Sequence, residues 1–205
     1  MIRLTKTSSV APAPLRIDGP AVFLRPPQAE EWSSWAELRA VSRDYLTPWE
    51  PVWPADALTE TSYLRRVRRL ASEWKNDEGY TFHVFEREKG RLVGGIGMTQ
   101  MRRGVAQTAT IGYWIGEPYE RRGYTTEAVR LIVRFAFERL QLHRIEAACL
   151  PENIASRRVL EKAGFVREGY ARLYLRIAGD WRDHLTFALL AEDAVNLPGT
   201  LEIKA

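Results

Sequence analysis

The chain has 205 residues, 45% of them apolar and 27% charged, with 14 glycines and 11 prolines. These values exclude collagen, coiled coil and disorder over most of its length. A chain of this size buries about 70% of the surface its unfolded form exposes, enough for one sizeable core and too little for two comfortable domains. The net charge of +4 suits an anionic ligand or partner without requiring nucleic acid.

Cys149 is the single cysteine, so there is no internal disulfide and no Cys-rich metal site. This usage points to a reducing, cytoplasmic compartment. No apolar run approaches the roughly 18 residues of a membrane helix. The N-terminal MIRLTKTSSVAPAPL is poor in acids and rich in Ser and Pro, as a transit peptide would be, but lacks the apolar stretch of a signal peptide. Residues 1–14 are read as a flexible tail, 15–193 as one domain and 194–205 as a C-terminal tail.

Val22, Phe23 and Leu24 predict a first strand, stopped by Pro26 and Pro27. A helix follows from Gln28, with Trp32, Trp35 and Ala36 on one stripe. Leu46–Ala57 holds three prolines and two tryptophans and cannot form a regular helix. In the next segment Tyr63, Leu64, Val67, Leu70, Ala71 and Trp74 recur at helical spacing. The period then changes to two over Thr81–Phe85, Leu92–Thr99 and Val105–Ile115, which predicts three strands. A long helix begins near Thr125, its apolar set running from Val129 to Leu140. Arg144–Leu150 reads as a strand and Asn153–Ala163 as a helix ended by Gly164. Val166–Arg176 and Trp181–Leu190 form a last hairpin.

The sum is α+β: a mostly antiparallel mixed sheet with one parallel strand pair, flanked by helices. The crossover between Val105–Ile115 and Arg144–Leu150 requires those two strands to run parallel if they are neighbours.

Two segments bear on chemistry. Pro118–Ala128 lies between a strand and an amphipathic helix and supplies Arg121, Arg122, Gly123, Tyr124, Thr125 and Thr126 in order. A helix start carries unpaired N–H groups and partial positive charge, and Gly123 allows close backbone approach. The segment suits a phosphate or diphosphate, or else is a threonine-capped helix start with solvated arginines. The second segment, Pro151–Phe165, offers Asn153 as an N-cap with Ser156 one turn later. Gly95-Ile96-Gly97 lacks the last glycine and the helix of a dinucleotide fingerprint. His83, His143 and His184 have no metal-ligand spacing, and Cys149 reads as a packed thiol.

Together, Y-x-R-R-G-Y-T-T-E-A opening a helix and N-x-x-S-x-x-x-L-x-x-x-G-F after the next strand resemble the GNAT superfamily of acyl-CoA-dependent N-acetyltransferases. His143-Arg144-Ile145, Ile111-Gly112-Tyr113, Pro48-Trp49-Glu50-Pro51-Val52, Glu168-Gly169-Tyr170-Ala171, Tyr174-Leu175 and Gly179-x-Trp181-Arg182-Asp183-His184 look like its RimJ type, the ribosomal-protein-alanine N-acetyltransferases. The resemblance covers roughly Leu15 to Asp193.

What the resemblance implies is a set of expectations. Acetyl-CoA is the co-substrate, and no metal is needed. Arg121, Arg122, Gly123, Tyr124, Thr125 and Thr126 would wrap its diphosphate. The pattern departs from the family's at Glu120 and Thr125, and Glu120 is expected to turn outward. The strand at Tyr113, Trp114 and Ile115 would pair with the pantetheine arm and polarise the thioester carbonyl. Asn153 would approach the pantetheine or the thiol. Many relatives place a proton-donating tyrosine seven positions later, where this chain has Leu160, so Ser156 is the remaining hydroxyl for the leaving group. For the base, some relatives have a glutamate where this chain has Ala148; Glu50 is preferred and Glu146 is the other choice. Trp49, Glu50, Trp53 and Tyr174 would receive the acceptor.

The acceptor read from this resemblance is the α-amine of a protein beginning with alanine, a small-subunit ribosomal protein, with ribosome association and either a monomer or a homodimer in view. A small amine, such as an aminoglycoside or polyamine, is the alternative acceptor. A non-catalytic RNA-binding module is the rival class, with Arg65–Arg69 and Arg102-Arg103 as its footprint.

Overall fold

Side chains that alternate along a strand must serve two layers when both faces of a sheet are covered. The chain follows this rule in the computed structural model, which describes residues 15–196 and 202–204. Its strands are β1 (Arg16–Asp18), β2 (Val22–Arg25), β3 (Tyr80–Glu86), β4 (Leu92–Arg102), β5 (Thr108–Ile115), β6 (Arg144–Cys149), β7 (Val166–Ile177), β8 (Asp180–Leu190) and β9 (Glu202–Lys204). They form one sheet in the order β7-β8-β6-β5-β4-β3-β2-β1-β9. Among the described residues only β5 and β6 pair in parallel, as the crossover demands. The architecture is therefore the expected α+β one.

Among the described residues, five α-helices cover the two faces: α1 (Trp32–Val41), α2 (Arg43–Leu46), α3 (Glu60–Lys75), α4 (Tyr124–Arg134) and α5 (Ile154–Lys162). Val22 and Leu24 pack with Val129, Ile132 and Leu160 from α4 and α5. Phe23, between them in sequence, packs with Trp35, Leu38 and Tyr63 from α1 and α3. The same alternation splits β5, whose Ile111, Tyr113 and Ile115 face the α4–α5 layer while Trp114 joins the other.

Several boundaries differ from expectation. β1 precedes the strand at Val22, and three residues are too few to show a period. Within the C-terminal tail expected at 194–205, Asp193–Asn196 form a tight turn and Glu202–Lys204 pair antiparallel with β1. The strand expected from Val105 begins at Thr108, leaving Val105 exposed in the turn. The helix expected to reach Leu140 keeps α-geometry only to Arg134 and continues as a wider π turn over Phe135–Arg139. Phe135 lies there among Trp74, Tyr80 and Phe82, and the Gln141 side chain donates to the Phe137 and Glu138 carbonyls to end the segment.

Candidate active site

β5 and β6 are paired only at Thr108–Thr110 and Arg144–Glu146. Beyond that point β5 stays bonded to β4 as far as Ile115, and β6 stays bonded to β8 as far as Cys149. The two strands therefore splay, opening a cleft of about 790 Å³ in the middle of the sheet. Gly116 N–H donates to the Val93 carbonyl at 2.8 Å. By antiparallel alternation, Gly112 and Trp114 also turn their backbone groups to β4, while Tyr113 and Ile115 turn theirs to the opening. All of Tyr113, Trp114 and Ile115 line the cleft. Gly95 opposite Trp114 is required here, because a Cβ would collide with the indole nitrogen.

The parallel crossover aims the start of α4 at the same opening. Arg121 and Gly123 both adopt the left-handed conformation, at φ +60° and +82°, so successive amides converge as in an anion nest. Gly123 is the N-cap and carries no side-chain cap. The first helical bond is donated by the Glu127 amide to the Gly123 carbonyl, so the amides of Tyr124, Thr125 and Thr126 precede the bonded ladder. The whole run from Arg121 to Thr126 lines the cleft. Tyr124 turns its hydroxyl toward Glu86, at 3.5 Å, and so offers its amide rather than its phenol. Glu120 is exposed but stays at the cleft rim, so its outward turn is partial. The Tyr45 phenol is raised first by burial and then by the charges of Glu120 and Glu117.

On the other wall, Asn153 caps α5 by accepting the Ser156 amide at 2.9 Å. Its carbonyl oxygen is used in that bond, which leaves the Nδ2 hydrogens for a ligand. Ser156 Oγ lies 2.9 Å from the Tyr113 hydroxyl, a contact bridging β5 and α5. Cys149 is buried beside them as expected of a packed thiol, its pKa pushed up by burial and partly offset by the Ser156 hydroxyl.

Of the residues expected at the acceptor end, Trp49 and Glu50 line the cleft. Glu50 does not stand free. Arg39 donates to both its oxygens, at 2.8 and 2.5 Å, and Trp53 Nε1 donates at 2.8 Å. The carboxylate expected as the base is thus held by three donated hydrogen bonds. Trp53 stands behind Glu50, its ring 4.1 Å from the Arg39 guanidinium, which also lies 4.8 Å from Trp114. Tyr174 likewise acts from behind, packed edge-on against His184, which lines the cleft. Glu146, the other choice, pairs with Arg102 and Arg144, each at 3.0 Å. Ala178 N–H donates to the Glu50 carbonyl at 2.9 Å, tying the β7–β8 turn to this loop.

Sequence reasoning missed Arg158 and Lys162, one turn apart on α5, and Tyr45. The helical spacing of the two cations was visible, but not the wall they would face. Among the described residues, no three His, Cys, Asp or Glu side chains converge as a metal set would, and no helix is long and apolar enough to cross a membrane.

An acetyltransferase (GNAT) domain model matches residues 21–166. The chain is 37% identical over 177 residues to a Bacillus subtilis protein described as a probable N-acetyltransferase, YjcK, covering 86% of this chain and 98% of that one. It is 31% identical to the Escherichia coli ribosomal protein uS5-alanine N-acetyltransferase, over 77% of this chain and 81% of that one. Mycobacterium smegmatis RimJ, solved in complex with CoA-disulfide, superposes with a TM-score of 0.81 at 34% identity, over 92% of this chain and 89% of the other. Because the matched span holds most of the cleft-forming strands and helices and more than half of the chain, this protein belongs to the GNAT acetyltransferase family.

Proposed function

We propose that the chain is a cytoplasmic enzyme that moves an acetyl group from acetyl-CoA to the N-terminal α-amine of a protein, an alanine on a small-subunit ribosomal protein. One observation carries the reading: the cleft joins an uncapped helix start to a hydroxyl pair, while arginines hold two of its carboxylates, Glu50 and Glu152. An α-amine with a pKa of about 7.7–8.0 is roughly one third neutral near pH 7.5, whereas a lysine amine near 10.4 is neutral only at about the 0.1% level. A cleft whose Glu50 and Glu152 are both held by arginines therefore suits an α-amine, with water able to carry its proton away.

The residues present fit coenzyme A. The convergent amides before Glu127, with no side-chain cap on Gly123, form a cradle for a diphosphate. Arg121, Arg122, Thr125 and Thr126 would hold it, and the Tyr113 and Ile115 amides would bond the pantetheine arm and polarise the carbonyl. When bound, the coenzyme supplies an acetyl carbon on a thioester sulfur. Trp49 and Glu50 would receive the amine, with Trp53 and Tyr174 bracing them through Arg39 and His184. Asn153 would donate to the pantetheine, and Ser156 would protonate the sulfur. Overall the nitrogen–carbon bond forms, the carbon–sulfur bond breaks with its electron pair left on sulfur, and one proton passes from nitrogen to sulfur.

Two further facts support the reading. The Escherichia coli relative is named for the same acceptor class. Four of the six arginines that would have marked an RNA-binding module are paired: Arg65 with Asp56, Arg69 with Glu73, Arg102 with Glu146 and Arg103 with Asp77. The test is mass spectrometry of a panel of acceptors with acetyl-CoA: peptides beginning with Ala, Ser or Met, an aminoglycoside and a polyamine. Acetylation of the alanine peptide on its α-amine is expected; acetylation of the small amines alone would overturn the assignment.

A further inference from the structure

Ser156 is held from two sides. Its amide donates to Asn153 Oδ1 at 2.9 Å, and its Oγ meets the Tyr113 hydroxyl at 2.9 Å. The Tyr113 hydroxyl also reaches the Ser156 carbonyl as a donor, at the longer distance of 3.3 Å, so its one hydrogen faces both oxygens of Ser156. Tyr113 stands on β5 and Ser156 on α5, 43 residues apart, so this contact crosses the splayed cleft beneath its opening.

Resting on the acetyltransferase reading above, we propose that Tyr113 is a positioning residue: its phenol donates to Ser156 Oγ, turning the serine's own hydrogen toward the sulfur that leaves the thioester. A serine hydroxyl has one hydrogen and two acceptor sites. Once Tyr113 occupies one acceptor site as donor, the serine hydrogen is free to point into the cleft. Burial pushes the Tyr113 phenol well above its ordinary range, with the Ser156 hydrogen bond opposing, so Tyr113 keeps its proton throughout. The neighbouring Cys149 thiol is also raised by burial and stays neutral.

The proton balance closes on neutral residues. As the carbon–sulfur bond breaks, Ser156 passes its proton to sulfur. It recovers one from the newly acylated nitrogen, directly or through water. Tyr113 strengthens its hydrogen bond to Oγ as charge builds there and relaxes afterwards.

The test has an equilibrium and a kinetic arm. First, the ultraviolet thiolate absorbance of the coenzyme A complex is titrated against the desulfo-coenzyme A complex, which cancels the protein's own groups: Tyr113, Cys149, His184 and the charged Arg157 and Glu161. A thiolate receiving a directed hydrogen bond is expected to form about tenfold more readily in the wild type than in Tyr113→Phe or Ser156→Ala. Second, with any amine the wild type acetylates, Tyr113→Phe should lower kcat about tenfold with KM for acetyl-CoA within about twofold. The double variant should be no slower than Ser156→Ala, the mark of two groups acting as a unit. An unchanged thiol titration in Tyr113→Phe would overturn the proposal, as would a Tyr113→Phe chain that no longer binds coenzyme A by calorimetry, since the phenol would then only shape the cleft. A shifted titration in a wild type that acetylates no peptide would uphold Tyr113's role and defeat the acceptor assignment alone.

Discussion

Arg39 and Glu50 form a two-pronged ion pair that ties α1 to the loop over the cleft. Their side chains are only 12% and 20% exposed, and the stacking of Arg39 between Trp53 and Trp114 fixes the pair in place. Because Arg39 and Trp53 donate to the Glu50 oxygens, its removal should be felt in the fold before it is felt in proton transfer. Glu50→Gln is expected to cost about 2 kcal/mol in urea denaturation and to lower kcat by less than about tenfold. Loss of a true general base would cost about 10²–10⁴, so a fall of that size would assign Glu50 the base's role.

A second carboxylate pair lies in the α1–α3 layer, where His83 Nδ1 meets Glu31 Oε2 at 2.6 Å. Burial lowers the His83 pKa; the hydrogen bond and charge of Glu31 oppose this, while Arg66 and Arg25 add to it. The folded chain thus keeps His83 neutral at a pH where the unfolded chain, with an ordinary value of about 6.5, takes up a proton. Stability is unaffected by this group above about pH 7 and falls as pH drops through about 6.5, by at most about 1.4 kcal/mol per pH unit. Urea denaturation at steps between pH 5 and 8 should show this slope, and His83→Gln should flatten it. A slope unchanged by the substitution would assign the effect to another group.

Local pattern made much of the molecule readable. The switch from period two to period 3.6 located the central strands and helices, with α4 expected near Thr125 and α5 at Asn153, within a residue of their observed starts. The proposed diphosphate cradle follows from those starts, because a helix terminus announces its own unpaired amides. Pairings between distant residues left no such mark. Arg39 lies 11 residues before Glu50 on a different element, and nothing in the Trp-rich loop shows that its glutamate is already claimed. Tyr113 reads as a strand residue until the fold brings α5 to it. The π turn after Arg134 was equally hidden, since widening a helical ladder changes no residue type in the apolar stripe.

Arg158 and Lys162 bring positive charge to the wall facing the start of α4. Arg130 of α4 donates to the Lys162 carbonyl at 2.5 Å, which ties that end of α5 to α4. Both side chains are exposed, so their attraction for an anion is screened by salt. The double variant Arg158→Ala, Lys162→Ala is expected to weaken coenzyme A binding about tenfold at low salt and about twofold at 1 M. Isothermal titration at both salt concentrations checks this. Equal losses at the two salts would show that the residues act through packing.

Leu160 occupies the position where many relatives carry a proton-donating tyrosine, seven residues after the asparagine. Restoring that tyrosine is the obvious way to seek a faster enzyme, and the packing argues against it. Leu160 is fully buried in the core between α5 and the sheet, while Val159, one residue earlier, lines the cleft. A phenol at position 160 would therefore enter a filled core rather than the site. Overpacking of this kind costs about 1–3 kcal/mol, and a buried hydroxyl adds to that unless it finds a partner. Leu160→Tyr is expected to lower the urea midpoint and leave kcat no higher than wild type. If kcat instead rose in Leu160→Tyr and stayed high after Ser156→Ala was added, the tyrosine would have reached the sulfur, and the serine–phenol pair would be replaceable from α5 alone.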